Sequence, residues 1–156
     1  MGENNERKVA IIVSKGGMDD VYPALILANG ARQSGIDAFI FFTFYGLDAV
    51  TEKKIDHLHV NMAGNASSPM PTMVAGLPGM ETLAAKMMKS KMKELEIPDV
   101  REMLTILDDS GAELYGCELA MKMFDLKKED LVKQVKDVIT VGDFYDLAEG
   151  AQIIFT

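Results

Sequence analysis

Cysteine occurs only at Cys117, which excludes an intramolecular disulfide and with it any small disulfide-stapled fold. Positive charge is also short: 16 lysines and arginines stand against 24 aspartates and glutamates, a formal net charge of −8. Binding a nucleic-acid backbone needs a concentrated basic face, so no nucleic-acid partner is expected, and anionic lipid offers no bulk attraction. Gly-x-Gly-x-x-Gly, Walker A and Gly-x-Ser-x-Gly motifs are all missing, which removes support for a dinucleotide site, an NTP site and an α/β-hydrolase elbow. The first eight residues lack the apolar core of a signal peptide, so a cytoplasmic protein is expected. The longest uncharged stretch, 61–80, has about the length of a membrane span. Pro69, Pro71 and Pro78 would break a helix there, and Asn65, Ser67 and Ser68 would be left unsatisfied in lipid, so it reads as a long loop rather than a span. A loop of that length is usually functional, as a lid or a subunit interface.

What is present suits one globular domain over 1–156, with 48% hydrophobic and 26% charged residues. Short apolar runs at 8–14 and 36–44 flank a segment with Pro23 near its start and Gly35 at its end, a strand, helix, strand unit that implies a parallel sheet. Helical stripes follow at 81–95, rich in methionine and suited in part to subunit packing, and from Pro98 to Gly111. Further strands are expected at 113–115, 135–141 and 151–155, with a last helix through Glu149 for which Asp143 is a plausible cap. The expected fold is a three-layer α/β/α sandwich on a mainly parallel five-stranded sheet.

Cys117 lies at the handover from the third strand, through Gly116, to a helix whose apolar face is Leu119, Ala120, Met123 and Phe124. Amides at a helix start favour an anion, and hence a thiolate. A free cysteine is also a good small buried hydrophobe, so an inert core residue is the opposing reading. The loop Lys15-Gly16-Gly17 after the first strand suits either a backbone nest for a small anion or an ordinary turn. Thr43 and Tyr45 follow the second strand on the side of the sheet where open α/β proteins bind ligands. His57 and His59 have no accompanying ligand cluster and read as surface residues, so no metal is assigned.

Several stretches, taken in order, resemble the DsrE/DsrF-like sulfur-relay family, in its peroxiredoxin-like or sulfurtransferase branch. They are Lys-Val-Ala-Ile-Ile-Val-Ser-Lys-Gly-Gly-Met-Asp-Asp at 8–20, Phe-Phe-Thr-Phe-Tyr-Gly-Leu at 41–47, Gly116-Cys117 before a Met-rich helix, Leu-Lys-Lys-Glu-Asp-Leu at 126–131, and Val-Gly-Asp-Phe-Tyr-Asp-Leu-Ala at 141–148. The resemblance implies a homo- or hetero-oligomer that carries sulfur on Cys117 as a persulfide or thiosulfonate. It implies exchange with a small sulfur-carrier protein or a rhodanese-like donor, and no cofactor. Lys15, Gly16, Gly17, Thr43, Tyr45 and Gly116 are then the expected substrate or anion contacts. Relatives commonly close the cysteine helix with glycine where this chain has Asp125. A non-catalytic scaffold that binds a carrier protein or anion is the first alternative, and a thiol-dependent peroxide reductase the second. The peroxiredoxin motif itself is missing, since Ser110 and Leu114 stand where Pro and Thr belong.

Overall fold

A computed structural model describes residues 6–62, 67 and 69–156. Five strands form one sheet: β1 (Lys8–Val13), β2 (Asp37–Phe42), β3 (Glu113–Cys117), β4 (Val135–Ile139) and β5 (Gln152–Phe155). Their spatial order is β4-β3-β2-β1-β5 and every pairing is parallel. The interior strands are uninterrupted apolar runs because both of their faces are covered; Ile11, Ile40, Phe42 and Leu114 have no accessible surface. Six α-helices connect them: α1 (Met18–Gln33), α2 (Thr72–Ala75), α3 (Met80–Glu94), α4 (Val100–Asp109), α5 (Glu118–Met123) and α6 (Val141–Leu147). A 3-10 turn over Phe44–Val50 leads out of β2.

The path through the sheet decides where the helices go. From β1 to β4 each step moves in one direction, and the step from β4 to β5 runs back across the whole sheet. Parallel crossovers are right-handed, so α6 must lie on the opposite face from α1 and α4. Phe144 of α6 anchors that layer, packing its ring on Phe39 at 5.8 Å and Phe41 at 5.0 Å. On the other face, the Tyr22 hydroxyl of α1 donates to the Pro98 carbonyl at 2.8 Å, tying α1 to the approach to α4. The result is a three-layer α/β/α sandwich on a parallel sheet.

Local chemistry departs from the expected boundaries in three places. The first helix starts at Met18, capped by Gly17, which puts Pro23 in the second turn rather than the first. For the last helix Thr140 is the cap and Asp143 the third helical residue. Thr140 Oγ1 accepts from the Asp143 amide and the Asp143 carboxylate accepts from the Thr140 amide, a reciprocal capping box that also ends β4 at Ile139. The methionine-rich helix is largely exposed, with Ala85 its one fully buried residue and Leu83 and Met87 open to solvent. Within the 61–80 stretch, residues 63–66 and 68 lie outside the described residues; the described part is not all loop, since it contains the short helix α2 and the start of α3 at Met80. Among the described residues no helix is long and apolar enough to cross a membrane.

Asp125 adopts a left-handed backbone, φ 52°. It follows the cap Phe124, and the amides of Asp125 and Leu126 donate to the carbonyls of Lys122 and Met121 at 3.3 and 2.9 Å. That is a Schellman closure with aspartate in the place that glycine fills without strain. Relief of the strain, on the order of 1–2 kcal/mol, exceeds the roughly 0.5–1 kcal/mol entropic cost of glycine in the unfolded chain. Asp125→Gly is therefore expected to raise stability by about 0.5 kcal/mol, read from the urea midpoint at unchanged slope.

Four carboxylates, Asp56, Glu113, Asp137 and Asp143, are held below their ordinary range, the last two mainly by backbone amides of Val138 and Thr140. For Asp56 the main cause is the hydrogen bonding of Arg101, whose Nε and Nη2 reach it at 3.1 and 2.9 Å while Nη1 reaches Glu52 at 2.8 Å. For Glu113 it is Lys136, then the hydroxyl of Tyr115 at 2.6 Å; burial, with that same contact, pushes Tyr115 up to about 12. A depressed folded-state pKa adds stability that is complete above the unfolded value, about 4, and is lost as pH falls through the lower folded value. Melting temperature should accordingly decline below about pH 4, and Asp56→Asn together with Glu113→Gln should flatten that acid limb.

Candidate functional site at the strand C-termini

The register that pairs Val13 with Phe42, and Phe42 with Gly116, brings the ends of three strands to one height. Ser14, Thr43 and Cys117 then follow in a row, with the Thr43 amide donating to the Val13 carbonyl at 2.9 Å. Cys117 is the last residue of β3 and the N-cap of α5, in extended conformation. It is only 4% exposed and unpaired. Side chains alternate along a strand, so Cys117 shares the α6 face with Tyr115, while Gly116 faces the other way. A methyl group on Gly116 would stand 3.2 Å from Met121 Sδ and 3.4 Å from Leu131 Cδ1, so this glycine admits the first turn of α5 and the chain after it.

A cavity of about 580 Å³ opens beside this row, at the end of β1. Lys15, Gly16, Gly17 and Tyr45 line it; Cys117, Thr43 and Gly116 do not. The rest of its wall comes from the chain after β2, including Asp48, Lys53, Lys54, His57 and His59. Both histidines, read from sequence as surface residues, are exposed, and both border this cavity. The signal for this is long-range: the Met18 amide that opens α1 donates to the His59 carbonyl at 2.8 Å, pulling the 55–60 segment against the first loop.

Charge in the cavity is balanced, three lysines (15, 53, 54) against three carboxylates (Asp20, Asp48, Glu81). Lys54 is paired with Asp48 at 2.8 Å. The Asp20 carboxyl is raised by burial and by Asp19, against the pull of Lys15. The cavity is therefore not a simple anion trap, and it suits a polar or zwitterionic group better than a bare multiply charged anion. Among the described residues no three His, Cys, Asp or Glu side chains gather as metal ligands.

Tyr45 connects the cavity to the cysteine helix. It lines the cavity, and its ring lies 5.4 Å from that of Phe124, which caps the C-terminus of α5. Close backbone approach puts it there. A methyl group on Gly46 would fall 2.0 Å from the Val13 carbonyl oxygen, and one on Gly16 would fall 2.6 Å from the Tyr45 carbonyl oxygen. Strand spacing of about 4.8 Å puts β1, where the cavity lies, roughly 10 Å from β3 and its cysteine.

The fold is a parallel α/β domain whose one cysteine closes an interior strand and opens a helix, at the end of the sheet where open α/β proteins commonly bind ligands. The chain belongs to the DsrE/DsrF/DrsH-like family, whose sequence profile matches residues 5–155. It is 33% identical over 156 residues to the sulfur carrier protein DsrE2 of Allochromatium vinosum, covering 95% of this chain and 96% of that one. Identity to the uncharacterized protein YrkE of Bacillus subtilis is 22% over 157 residues, at 96% of each. The crystal structure of the ychN protein from E. coli shares the fold, with a TM-score of 0.58 at 14% identity over 96% of this chain and 99% of that chain.

Gly46→Ala should lower stability by about 3 kcal/mol, because its methyl group meets backbone that has no side-chain freedom to yield. Urea denaturation of the variant measures this directly.

Proposed function

We propose that the protein is a sulfur-relay protein, a carrier or sulfurtransferase, that holds sulfur on Cys117 and passes it to a partner thiol. The observation behind this reading is the position of Cys117, at the end of β3 and the start of α5, in a chain that resembles a named sulfur carrier over nearly its whole length. A reducing cytoplasm, where a lone thiol stays unpaired, suits such a role.

The chemistry requires one nucleophile. The Cys117 thiolate attacks the outer sulfur of a donor persulfide or of thiosulfate; the new S–S bond forms as the old one breaks, and the donor leaves as a thiolate or as sulfite. An acceptor thiolate, from a small carrier protein or a rhodanese-like partner, then attacks the terminal sulfur and restores the Cys117 thiolate. The first amides of α5 have no intrahelical partner and favour negative charge on the sulfur. With six residues the helix contributes little dipole, so local N–H groups carry most of that effect. Lys15, Gly16, Gly17, Thr43, Tyr45 and Gly116 remain the proposed surroundings of donor or acceptor: four line the cavity at β1, Thr43 stands beside Cys117 in the row of strand ends, and Gly116 acts only by admitting α5 on the opposite side of β3.

Burial of Cys117 favours a second reading, a non-catalytic scaffold in which the thiol is a core residue and the cavity binds a carrier or small molecule. Intact-protein mass spectrometry separates the two. Wild type treated with polysulfide or thiosulfate should gain mass in whole sulfur increments, and with tetrathionate a thiosulfonate increment as thiosulfate leaves; a reductant should remove either, and Cys117→Ser should gain none while keeping its fold. Absence of any adduct on wild type, with the folded thiol also closed to alkylation, would sink the carrier reading and leave the scaffold.

A further inference from the structure

A second cavity, of about 1090 Å³, lies on the face of the sheet that α1 and α4 cover. Its floor is built from buried side chains: Met18 and Tyr22 from the first two turns of α1, Ile55 from the short 3-10 turn Ile55–His57, and Val100 from the start of α4. Neither Cys117 nor any residue expected around it contributes to the lining.

The end of α3 raises one wall. Leu95 caps that helix, and Glu96 follows in a left-handed backbone, φ 55°. The amides of Glu96 and Ile97 donate to the carbonyls of Lys93 and Met92 at 3.2 and 2.9 Å, a Schellman turn with glutamate where glycine would be unstrained. That turn folds Ile97 back toward Met92, and both line the cavity together with Ile106 of α4. Ile97 and Ile106 stay 40% and 39% exposed, apolar surface that the chain itself leaves uncovered. The Tyr22 hydroxyl holds the Pro98 carbonyl, which fixes the turn to α1, so the cavity is formed before anything enters it.

The charged groups around this apolar basin are not equally free. Asp56 is held on both carboxylate oxygens by Arg101, whose remaining arm goes to Glu52. Asp99 and Glu102 are turned onto each other's backbone amides in the capping box of α4, accepting at 2.8 and 3.2 Å. On the α3 wall the pattern is the reverse. Lys89 donates to a neutral acceptor, the Asp56 carbonyl, at 2.7 Å, and Lys93, one turn further on, has no partner among the described residues. Two ammonium groups on one side of the helix are thus left without a counter-charge, against Glu96 alone among the lining carboxylates.

We propose that this cavity binds an aliphatic carboxylate, with its head group on Lys89 and Lys93 and its chain over Met92, Ile97 and Ile106. The apolar lining is aliphatic apart from Tyr22, which is 8% exposed and already bonded, so no ring is open for a nucleobase or an aromatic acid to stack on. No glycine borders the cavity to bring backbone amides close to a phosphate. Small-molecule sites run from roughly 300 to 1,000 Å³, and this one, at the upper end, holds a chain of medium length. Its carboxylate gains charge-assisted hydrogen bonds while the chain covers the two exposed isoleucines. The site does not depend on the sulfur chemistry of Cys117.

Calorimetric titration of the full chain with sodium decanoate, kept below its micelle concentration, tests this, with amide chemical shifts recorded on the same samples. Wild type should bind one equivalent saturably, and the amides that shift should be those of residues 92–97 and 102–106. Decanol, which has the chain without the charge, and Lys93→Ala with decanoate should each bind about threefold more weakly. Ile97→Asp, which sets a like charge in the path of the chain, should weaken binding about tenfold or more. Lys91→Ala, on the same helix but paired with Glu94 outside the cavity, should bind as wild type does. Lack of saturable binding by wild type, undiminished binding by both Lys93→Ala and Ile97→Asp, or shifts confined to other parts of the chain would each overturn the proposal. Should Ile97→Asp fail to fold, the wild-type shift map and the decanol comparison decide it in the same way.

Discussion

The handedness of parallel crossovers is the constraint from which most of this molecule follows. A chain that lays down β1 to β4 in one direction puts α1 and α4 on one face without choice. Returning to place β5 beside β1 forces α6 to the other face, alone. One short helix then has to cover a sheet five strands wide, and Phe144 can seal only the part beneath it. The same return places the C-terminal strand at an edge, where its backbone has one neighbour. Both the buried setting of Cys117, on the sealed side, and the exposed aromatic surface near β5 come from that single reversal.

The position of Cys117 on the sealed side sets a physical condition on the proposed relay. A thiol 4% exposed cannot meet a protein-bound donor without movement of what lies over it. That cover lies on the α6 side of the sheet, which Cys117 shares with Tyr115. The helix that Cys117 caps, α5, packs on the other face: Leu119 and Met123 are open to solvent, while Ala120 and Met121 are buried and hold it on the core. Glycine in place of Asp125 would close this helix with less strain, so that residue bears on the stability of α5.

Much of this was legible in the sequence. All five strands stand where they were expected, and β1 and β2 most plainly, because a parallel strand buried on both faces has no polar alternation to obscure it. Cys117 was placed at its strand-to-helix junction by the break at Gly116 and the helical spacing after it. The cap of α6 was misplaced by three residues because Thr140 and Asp143 are reciprocal partners, and either alone looks like the cap. The methionine stripe of α3 read as a packing face, and half of it is one: Ala84, Met88 and Met92 pack on the core while Leu83, Met87 and Leu95 are exposed, since periodicity tells which residues share a side and not how much of it is covered. The cavity was half seen. Lys15, Gly16 and Tyr45 sit at strand ends that any parallel sheet would use, whereas His57 and His59 arrive through one backbone hydrogen bond to α1 that no local pattern encodes.

The cavity and the cysteine are best understood as two places joined by one ring. Tyr45 borders the first and stacks on Phe124, which ends the helix that Cys117 begins. Displacing Tyr45 from its seat would require the chain at Gly46 to leave the Val13 carbonyl, where no side chain gives way. Tyr45 is therefore the fixed member of the pair, held in place by backbone, and Phe124 is the one whose side chain has freedom to yield.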